Sequence, residues 1–264
     1  MLKKRLDILM VERGIAASRS LAQQLIMAGK VKVNREQVQK PAAMVDGQAE
    51  ITLVEGPRYV SRGGEKLEAA LAAFGLLQLS GMVCVDVGAS TGGFTDCLLQ
   101  HGARRVYALD VGYGVLHWNM RRDSRVVVME RTNARYVKGF DEGIDLVCVD
   151  ASFISLNILL PVIRTWLRGE HGQVVALIKP QFEAGQKIAA RGEGVIRDPQ
   201  VHRSVLIDVA LFCKQQGFLV CGLIRSPLVG PKGNAEFLIH LALKGAGIED
   251  VGNLIEQVVQ KSSD

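Results

Sequence analysis

Residues 83–94 read Val-Cys-Val-Asp-Val-Gly-Ala-Ser-Thr-Gly-Gly-Phe. An apolar run followed by a glycine-rich turn predicts a buried strand that ends in a loop and enters a helix. Glycines there let the backbone turn tightly and let a ligand come close. Open α/β sheets bind ligands at the carboxyl ends of their strands. A phosphate loop would need a lysine after its last glycine, and Phe94 follows Gly93. A dinucleotide fingerprint would need glycine two residues after Gly88, where Ser90 stands. Asp86 at the strand end repels a pyrophosphate and suits a ligand with a cationic amino-acid end. The next strand ends in Asp110, placed to accept hydrogen bonds from ribose hydroxyls. S-adenosylmethionine, a cationic nucleoside amino acid, meets both acids. A tight turn with no ligand is the alternative.

Outward from this loop, strands are expected at 83–87, 106–109, 126–129, 146–150, 174–178, 218–224 and 237–243. Amphipathic stretches at 154–168 and 198–216 lie between them. Near-continuous apolar strands separated by helices predict a mostly parallel, doubly wound α/β sheet of seven strands. Residues 1–55 have a different rhythm. Leu6, Leu9 and Met10 recur at helical spacing, and Ser18 can cap a second helix carrying Leu21, Leu25 and Ile26. Gly29 stops it, and short strand-like pieces follow at 30–33 and 50–54. Gly56-Pro57 starts a linker. The expected domains are 1–57 and 58–264.

Charge follows the same division. Residues 1–60 hold ten Lys/Arg against six Asp/Glu, and the remaining chain 22 against 21, so the surplus points to an anionic partner at one end. Lys3, Lys4, Arg5, Arg13, Arg19, Lys30, Lys32 and Arg35 carry it, and no aromatic residue occurs in 1–58. Base stacking is therefore not expected in this segment, whereas backbone and shape recognition of folded RNA is. A solvated basic face is the plainer reading. The five cysteines form no Cys-x-x-Cys and three sit in apolar runs, so no disulfide is expected. The five histidines lack ligand spacing, so no metal is expected. No apolar run reaches the roughly 18 residues of a membrane helix, and the N-terminus lacks a signal-type apolar region. A cytoplasmic protein without membrane association is expected.

The strings YVSRGGEKL (59–67), DVGASTGGFTD (86–96), ALDVGYGVLHW (108–118), VDASFISL (149–156), IKPQFEAG (178–185) and GNAEFL (233–238) resemble the TlyA, or hemolysin-A-like, family of rRNA ribose 2′-O-methyltransferases. The likeness runs in order over nearly the whole chain. Residues 5–35 resemble that family's S-four-type RNA-binding module. The resemblance implies a seven-stranded Rossmann-like class I methyltransferase sheet of the FtsJ type, with a small N-terminal α+β RNA-binding domain. It implies S-adenosylmethionine as cofactor, and cytidine in rRNA within ribosomal subunits as substrate. By motif, its Lys-Asp-Lys-Glu tetrad falls on Lys66, Asp150, Lys179 and Glu236. The cofactor loop falls on Asp86, Gly88, Ser90, Gly92, Gly93 and Phe94, the ribose acid on Asp110, and the adenine-side position on Asn133.

Methyl transfer to a hydroxyl is an in-line displacement governed by positioning. Lys179, with Lys66 as a second cation nearby, is expected to serve as base, oriented by Asp150. Glu236 would hold a lysine or the ribose. Arg62, in the entry Ser61-Arg62-Gly63-Gly64, is a further phosphate contact. Cys148 lies inside an apolar run and reads as a core thiol rather than a nucleophile. Two other readings stay open. One is a base-nitrogen RNA methyltransferase, although Asp150-Ala-Ser-Phe lacks the paired prolines of that chemistry. The other is a non-catalytic RNA-binding or hemolysin-like protein. Oligomeric state is not legible.

Overall fold

The computed structural model describes residues 3–54, 56–185 and 194–260. Met1, Leu2 and Glu55 of the expected first domain lie outside the described residues. The chain divides into two compact units, Met1–Arg58 and Tyr59–Asp264.

The first unit is built from β1 (Lys3–Arg5), α1 (Leu6–Glu12), α2 (Arg19–Met27), β2 (Val31–Val33), β3 (Glu36–Gln37), β4 (Met44–Asp46) and β5 (Ile51–Leu53). β1 pairs with β4, and β2 lies between β3 and β5. Ser18 caps α2 by accepting from the Leu21 amide at 3.2 Å, as its position before the helix predicts. Leu6, Met10, Ala22, Ile26, Val31 and Val33 form a small core. Leu21 departs from the expected apolar face and is exposed.

The second unit begins with α3 (Gly63–Ala73) and β6 (Val83–Val87), then α4 (Gly93–Gln100), β7 (Arg105–Leu109), α5 (Trp118–Arg122) and β8 (Val126–Met129). It continues through β9 (Leu146–Val149), α6 (Leu156–Trp166), β10 (Gln173–Ile178), α7 (Pro180–Glu183) and α8 (Pro199–Gln215) to β11 (Leu219–Arg225), β12 (Phe237–Ala242) and α9 (Val251–Gln260). Among the described residues these strands form one seven-stranded sheet in the order β11-β12-β10-β9-β6-β7-β8. Phe218, expected to open a strand, precedes β11 and is packed in the core.

β6 is buried along its whole length because the sheet is covered on both faces. Its side chains alternate accordingly. Val83, Val85 and Val87 pack in one core layer, and Cys84 in the other. β12 runs antiparallel to both its neighbours, whereas the pairs among β10, β9, β6, β7 and β8 are parallel. Antiparallel neighbours need no covering helix between them, and β11 returns directly into β12. β6 lies between β9 and β7, so the strand order reverses there. That reversal opens a crevice at the carboxyl ends of the strands, directly over the glycine-rich loop.

Candidate active site

The loop after β6 is shaped by close approaches. Gly88 has φ +86°, and a Cβ there would stand 2.7 Å from the Asp150 carbonyl oxygen. Gly93 faces Ser61 Oγ and the Gly64 amide so closely that a side chain has no room. Gly92 has φ +96°, and Ser90 also adopts a positive φ of 49°. Only glycine takes such positions without strain, so three segments can meet around one turn.

Two clefts open on this loop. One, of about 530 Å³, is lined by Asp110 and Asn133 among polar groups and by Leu109, Val111, Phe153 and Ile158 among apolar ones. The other, of about 230 Å³, is lined by Arg62, Lys66, Thr91, Phe94 and Val229. Gly88, Ser90 and Asp150 line both. Asp110 accepts from the Ser90 amide and the Gly112 amide, each at 2.7 Å. One bond falls on each carboxylate oxygen, and each oxygen keeps a free lone pair. Asn133 Oδ1 accepts from the Arg135 amide at 3.1 Å.

Asp86 stands behind the loop and lines neither cleft. It is fully buried, and its Oδ2 accepts from the Thr95 amide at 2.9 Å and the Thr95 hydroxyl at 2.7 Å. Its Oδ1 is buried with no hydrogen-bond partner. Burial pushes this carboxyl up to about 7, with Asp150 and Asp110 adding to the rise and the Thr95 bonds opposing it. The sequence reading placed Asp86 against a ligand's cationic end. In the structure strand alternation turns it under α4 instead.

The four tetrad candidates converge as two ion pairs. Lys66 Nζ on α3 meets Glu236 Oε2 at 2.6 Å, and the two side chains are 11% and 1% exposed. Lys179 Nζ meets Asp150 Oδ1 at 2.6 Å, with 8% and 21% exposed. Strand register explains the convergence. Ile178 pairs with Phe237 in the antiparallel ladder, so Lys179, one step beyond β10, stands beside Glu236, one step before β12. Asp150 follows the adjacent β9. Each lysine thus has its own carboxylate, Glu236 for Lys66 and Asp150 for Lys179.

Three contributors were not assigned from sequence. Ser152 Oγ accepts from Lys179 Nζ at 3.0 Å. Glu183 accepts from Ser155 Oγ at 2.6 Å and the Leu156 amide at 2.9 Å, tying α7, which follows Lys179, to the loop after Asp150. Asn234 accepts from the Ile196 amide at 2.9 Å and donates to the Gly194 carbonyl at 2.8 Å. All three lie in or beside the quoted motifs, but nothing in their residue types marked the role. Cys148 is fully buried, and burial holds its thiol well above the usual range, so it offers no thiolate.

The basic residues of the first unit divide. Asp7 is fully buried and accepts from Arg5 (3.0 and 2.9 Å), Arg19 (3.0 Å) and Gln23 (2.9 Å). The Arg5 fork and these neighbours hold its carboxyl below the usual range. Arg13 donates to the Ala49 carbonyl at 2.6 Å and to the Gly47 carbonyl, and Lys4 pairs with Glu12. Lys3, Lys30, Lys32 and Arg35 are exposed, as is Arg62 in the second unit. The even basic cluster read from sequence is thus partly an internal bonding network, because a guanidinium fork serves a buried carboxylate or carbonyl as well as a phosphate.

Residues 59–243 match the FtsJ-like methyltransferase family, and residues 4–51 match the S4 domain. The chain belongs to the FtsJ-like methyltransferase family. YqxC of Bacillus subtilis is 47% identical over 251 residues, which is 94% of this chain and 88% of that one. The 16S/23S rRNA (cytidine-2′-O)-methyltransferase TlyA of Mycobacterium tuberculosis is 43% identical over 258 residues, covering 94% and 95%. A hemolysin-type protein of solved structure from Streptococcus thermophilus is 45% identical with a TM-score of 0.74, covering 99% of this chain and 96% of that one. The FtsJ-like region contains the glycine loop, both clefts and both ion pairs. Among the described residues, no helix is long and apolar enough to cross a membrane.

Proposed function

We propose that this FtsJ-like methyltransferase methylates the ribose 2′-hydroxyl of cytidine in rRNA, with ribosomal subunits as substrates and S-adenosylmethionine as methyl donor. The observation that carries the reading is the pair of buried Lys–carboxylate contacts at one sheet edge, opening on a two-part cleft. The M. tuberculosis relative's name gives the substrate class. A cytoplasmic setting follows from that substrate.

The residues present fit the donor. Gly88 and Gly93 leave space that a Cβ would fill, and the larger cleft combines apolar walls with the hydrogen-bonding groups of Asp110 and Asn133. Asp110 would hold the ribose hydroxyls, Asn133 the adenine side, and the loop Gly88, Ser90, Gly92, Gly93 and Phe94 the amino-acid end, with Asp86 supporting that loop from beneath. When bound, S-adenosylmethionine supplies an electrophilic methyl group on a sulfonium.

The protein's part is to place and deprotonate the attacking hydroxyl. Lys179, fixed by Asp150 and Ser152, serves as the base for the hydroxyl proton, having first released to solvent the proton it holds in the ion pair. Asp150 fixes its direction and reaches both clefts. Lys66, held by Glu236, fixes the substrate ribose or its phosphate from the smaller cleft. Lys3, Lys30, Lys32 and Arg35 of the first unit, together with the Arg5 and Arg19 forks, would meet folded RNA through its backbone. Arg62 would meet phosphate beside the smaller cleft.

The test is tritiated methyl incorporation into unmodified ribosomal subunits and naked rRNA, followed by mapping of alkali-resistant linkages. A 2′-O-methyl blocks alkaline cleavage next to the label, whereas a base methyl does not. Lys179→Ala should abolish label while RNA binding stays. Label in an alkali-sensitive nucleotide would move the reaction to a base nitrogen, and absence of label from folded protein would favour a non-catalytic role.

A further inference from the structure

The catalytic unit carries a concentration of charge that its totals conceal. Residues 104–138 hold eight Lys/Arg against three Asp/Glu; Arg104 and Arg105 pair with Glu142, Arg121 with Glu130 and Arg125 with Asp123, which leaves Arg122, Arg131, Arg135 and Lys138 outside the ion pairs found among the described residues. This segment runs from β7 through β8 to the turn beyond, at the side of the sheet that opens on the larger cleft. It also holds exposed aromatics. Tyr113, Trp118 and Tyr136 are 68%, 60% and 73% exposed, although large rings on a free surface lose the benefit of burial.

Each ring has an arginine over it. The Arg131 guanidinium lies 4.1 Å from the Tyr113 ring centre, Arg135 lies 5.2 Å from Tyr136, and Arg122 lies 5.6 Å from Trp118. The loop that carries Tyr113 is tied to the turn that carries Arg131. The Arg131 amide donates to the Gly112 carbonyl at 3.0 Å, and the Gly114 amide to Glu130 Oε1 at 2.9 Å. Arg131 takes a positive φ of 52°, a strained position for a side-chain-bearing residue. Arg135 also lines the larger cleft, so the rim is continuous with the candidate site.

We propose that Tyr113, Trp118 and Tyr136, with their arginines, form a docking rim for the single-stranded RNA that flanks the methylated nucleotide. The proposal rests on the RNA methyltransferase reading above and gives its second unit a contact distinct from the S4 domain. Stacking on a ring tolerates any base, and an adjacent guanidinium meets the phosphate, which is how single strands are held without sequence preference. An anionic lipid surface would also attract the charge. However, insertion needs bare apolar tips, and these rings are capped by cations.

The test uses the full chain and a fluorescein-labelled uridine dodecamer, read by fluorescence anisotropy at fixed salt. Tyr113→Ala/Trp118→Ala/Tyr136→Ala should weaken binding by at least about tenfold, since each stacked base contributes measurably. The corresponding phenylalanine variant should keep most of the affinity. A smaller loss in the alanine variant overturns the proposal. So does equal loss on a blunt RNA duplex, or a loss seen only on vesicles of three parts phosphatidylcholine to one part phosphatidylglycerol. No cofactor is needed for this binding, so its failure is separable from failure of the methylation assay.

Discussion

Replacing Asp86 with Asn tests the core of the site through its dependence on pH. Asp86 is fully buried, has one oxygen bonded twice to Thr95 and one oxygen unpartnered. Its carboxyl is raised from the usual 3.8 to about 7, chiefly by burial. Below pH 4 the folded and unfolded chains both carry this proton. Between pH 4 and 7 the unfolded chain gives it up first, so folding loses stability as pH rises through that window. The interval of 3.8 to about 7, at about 1.36 kcal/mol per pH unit, corresponds to a loss of roughly 4 kcal/mol. Asn cannot ionise, and its carbonyl can still accept from Thr95. Its amide nitrogen lacks a buried acceptor, which costs about 1–3 kcal/mol equally at every pH. Urea unfolding of both proteins from pH 4 to pH 8 at constant ionic strength should therefore show the variant gaining roughly 4 kcal/mol relative to wild type across the series. Two stability curves that stay parallel would refute the buried, proton-bearing Asp86.

Three further outcomes follow from geometry. Lys66→Met leaves Glu236, 1% exposed, without its partner and should cost about 3–5 kcal/mol in urea unfolding, while Lys66→Met/Glu236→Leu recovers most of it; a single-variant loss below about 1 kcal/mol would contradict the buried pair. Gly88→Ala puts a methyl against the Asp150 carbonyl in a left-handed backbone, so calorimetry should show S-adenosylhomocysteine affinity falling by at least about tenfold, and unchanged affinity would contradict the close approach. Because Arg5 and its neighbours hold Asp7 in the charged form, the stability this gives the first unit should be present above about pH 4 and lost as pH falls further; hydrogen exchange in α1 that is unaffected down to pH 2 would contradict it.

The strands were legible because a sheet covered on both faces writes itself as short apolar runs, and β6, β7, β8, β9 and β10 are of that kind. The glycine loop was legible because positive φ and close approach leave few other residues possible. The tetrad was different. Positions 66, 150, 179 and 236 share no spacing that points to one site, and only motif resemblance joined them. What brings Glu236 to Lys179 is the antiparallel register of β12, a tertiary fact. The direction of each arginine was likewise hidden. Arg5 and Arg19 differ from Lys32 and Arg35 only because a buried Asp7 lies within their reach. Asp86 was read correctly as a strand-end acid, but its side chain follows the alternation of β6 and turns beneath the loop.

The placement of charge divides the work between capture and chemistry. At the proposed reaction centre two lysines are matched by two carboxylates, each pair within 2.6 Å. Their fields largely cancel beyond the pair, so the centre exerts little pull on distant RNA. The attractive charge lies outside, on exposed arginines and lysines of the second unit's rim and of the S4 domain. Salt screens exposed charges beyond a Debye length of about 8 Å at physiological ionic strength and acts far less on buried pairs. Ionic strength therefore bears on how often RNA reaches the cleft, not on how the bound hydroxyl is aligned. A centre built of mutually neutralising pairs also admits a cationic methyl donor and a polyanionic substrate side by side, since neither meets an unbalanced charge. The same balance explains why both lysines must keep their partners. Loss of either carboxylate would leave a buried cation facing a cationic donor, and loss of either lysine a buried anion facing RNA.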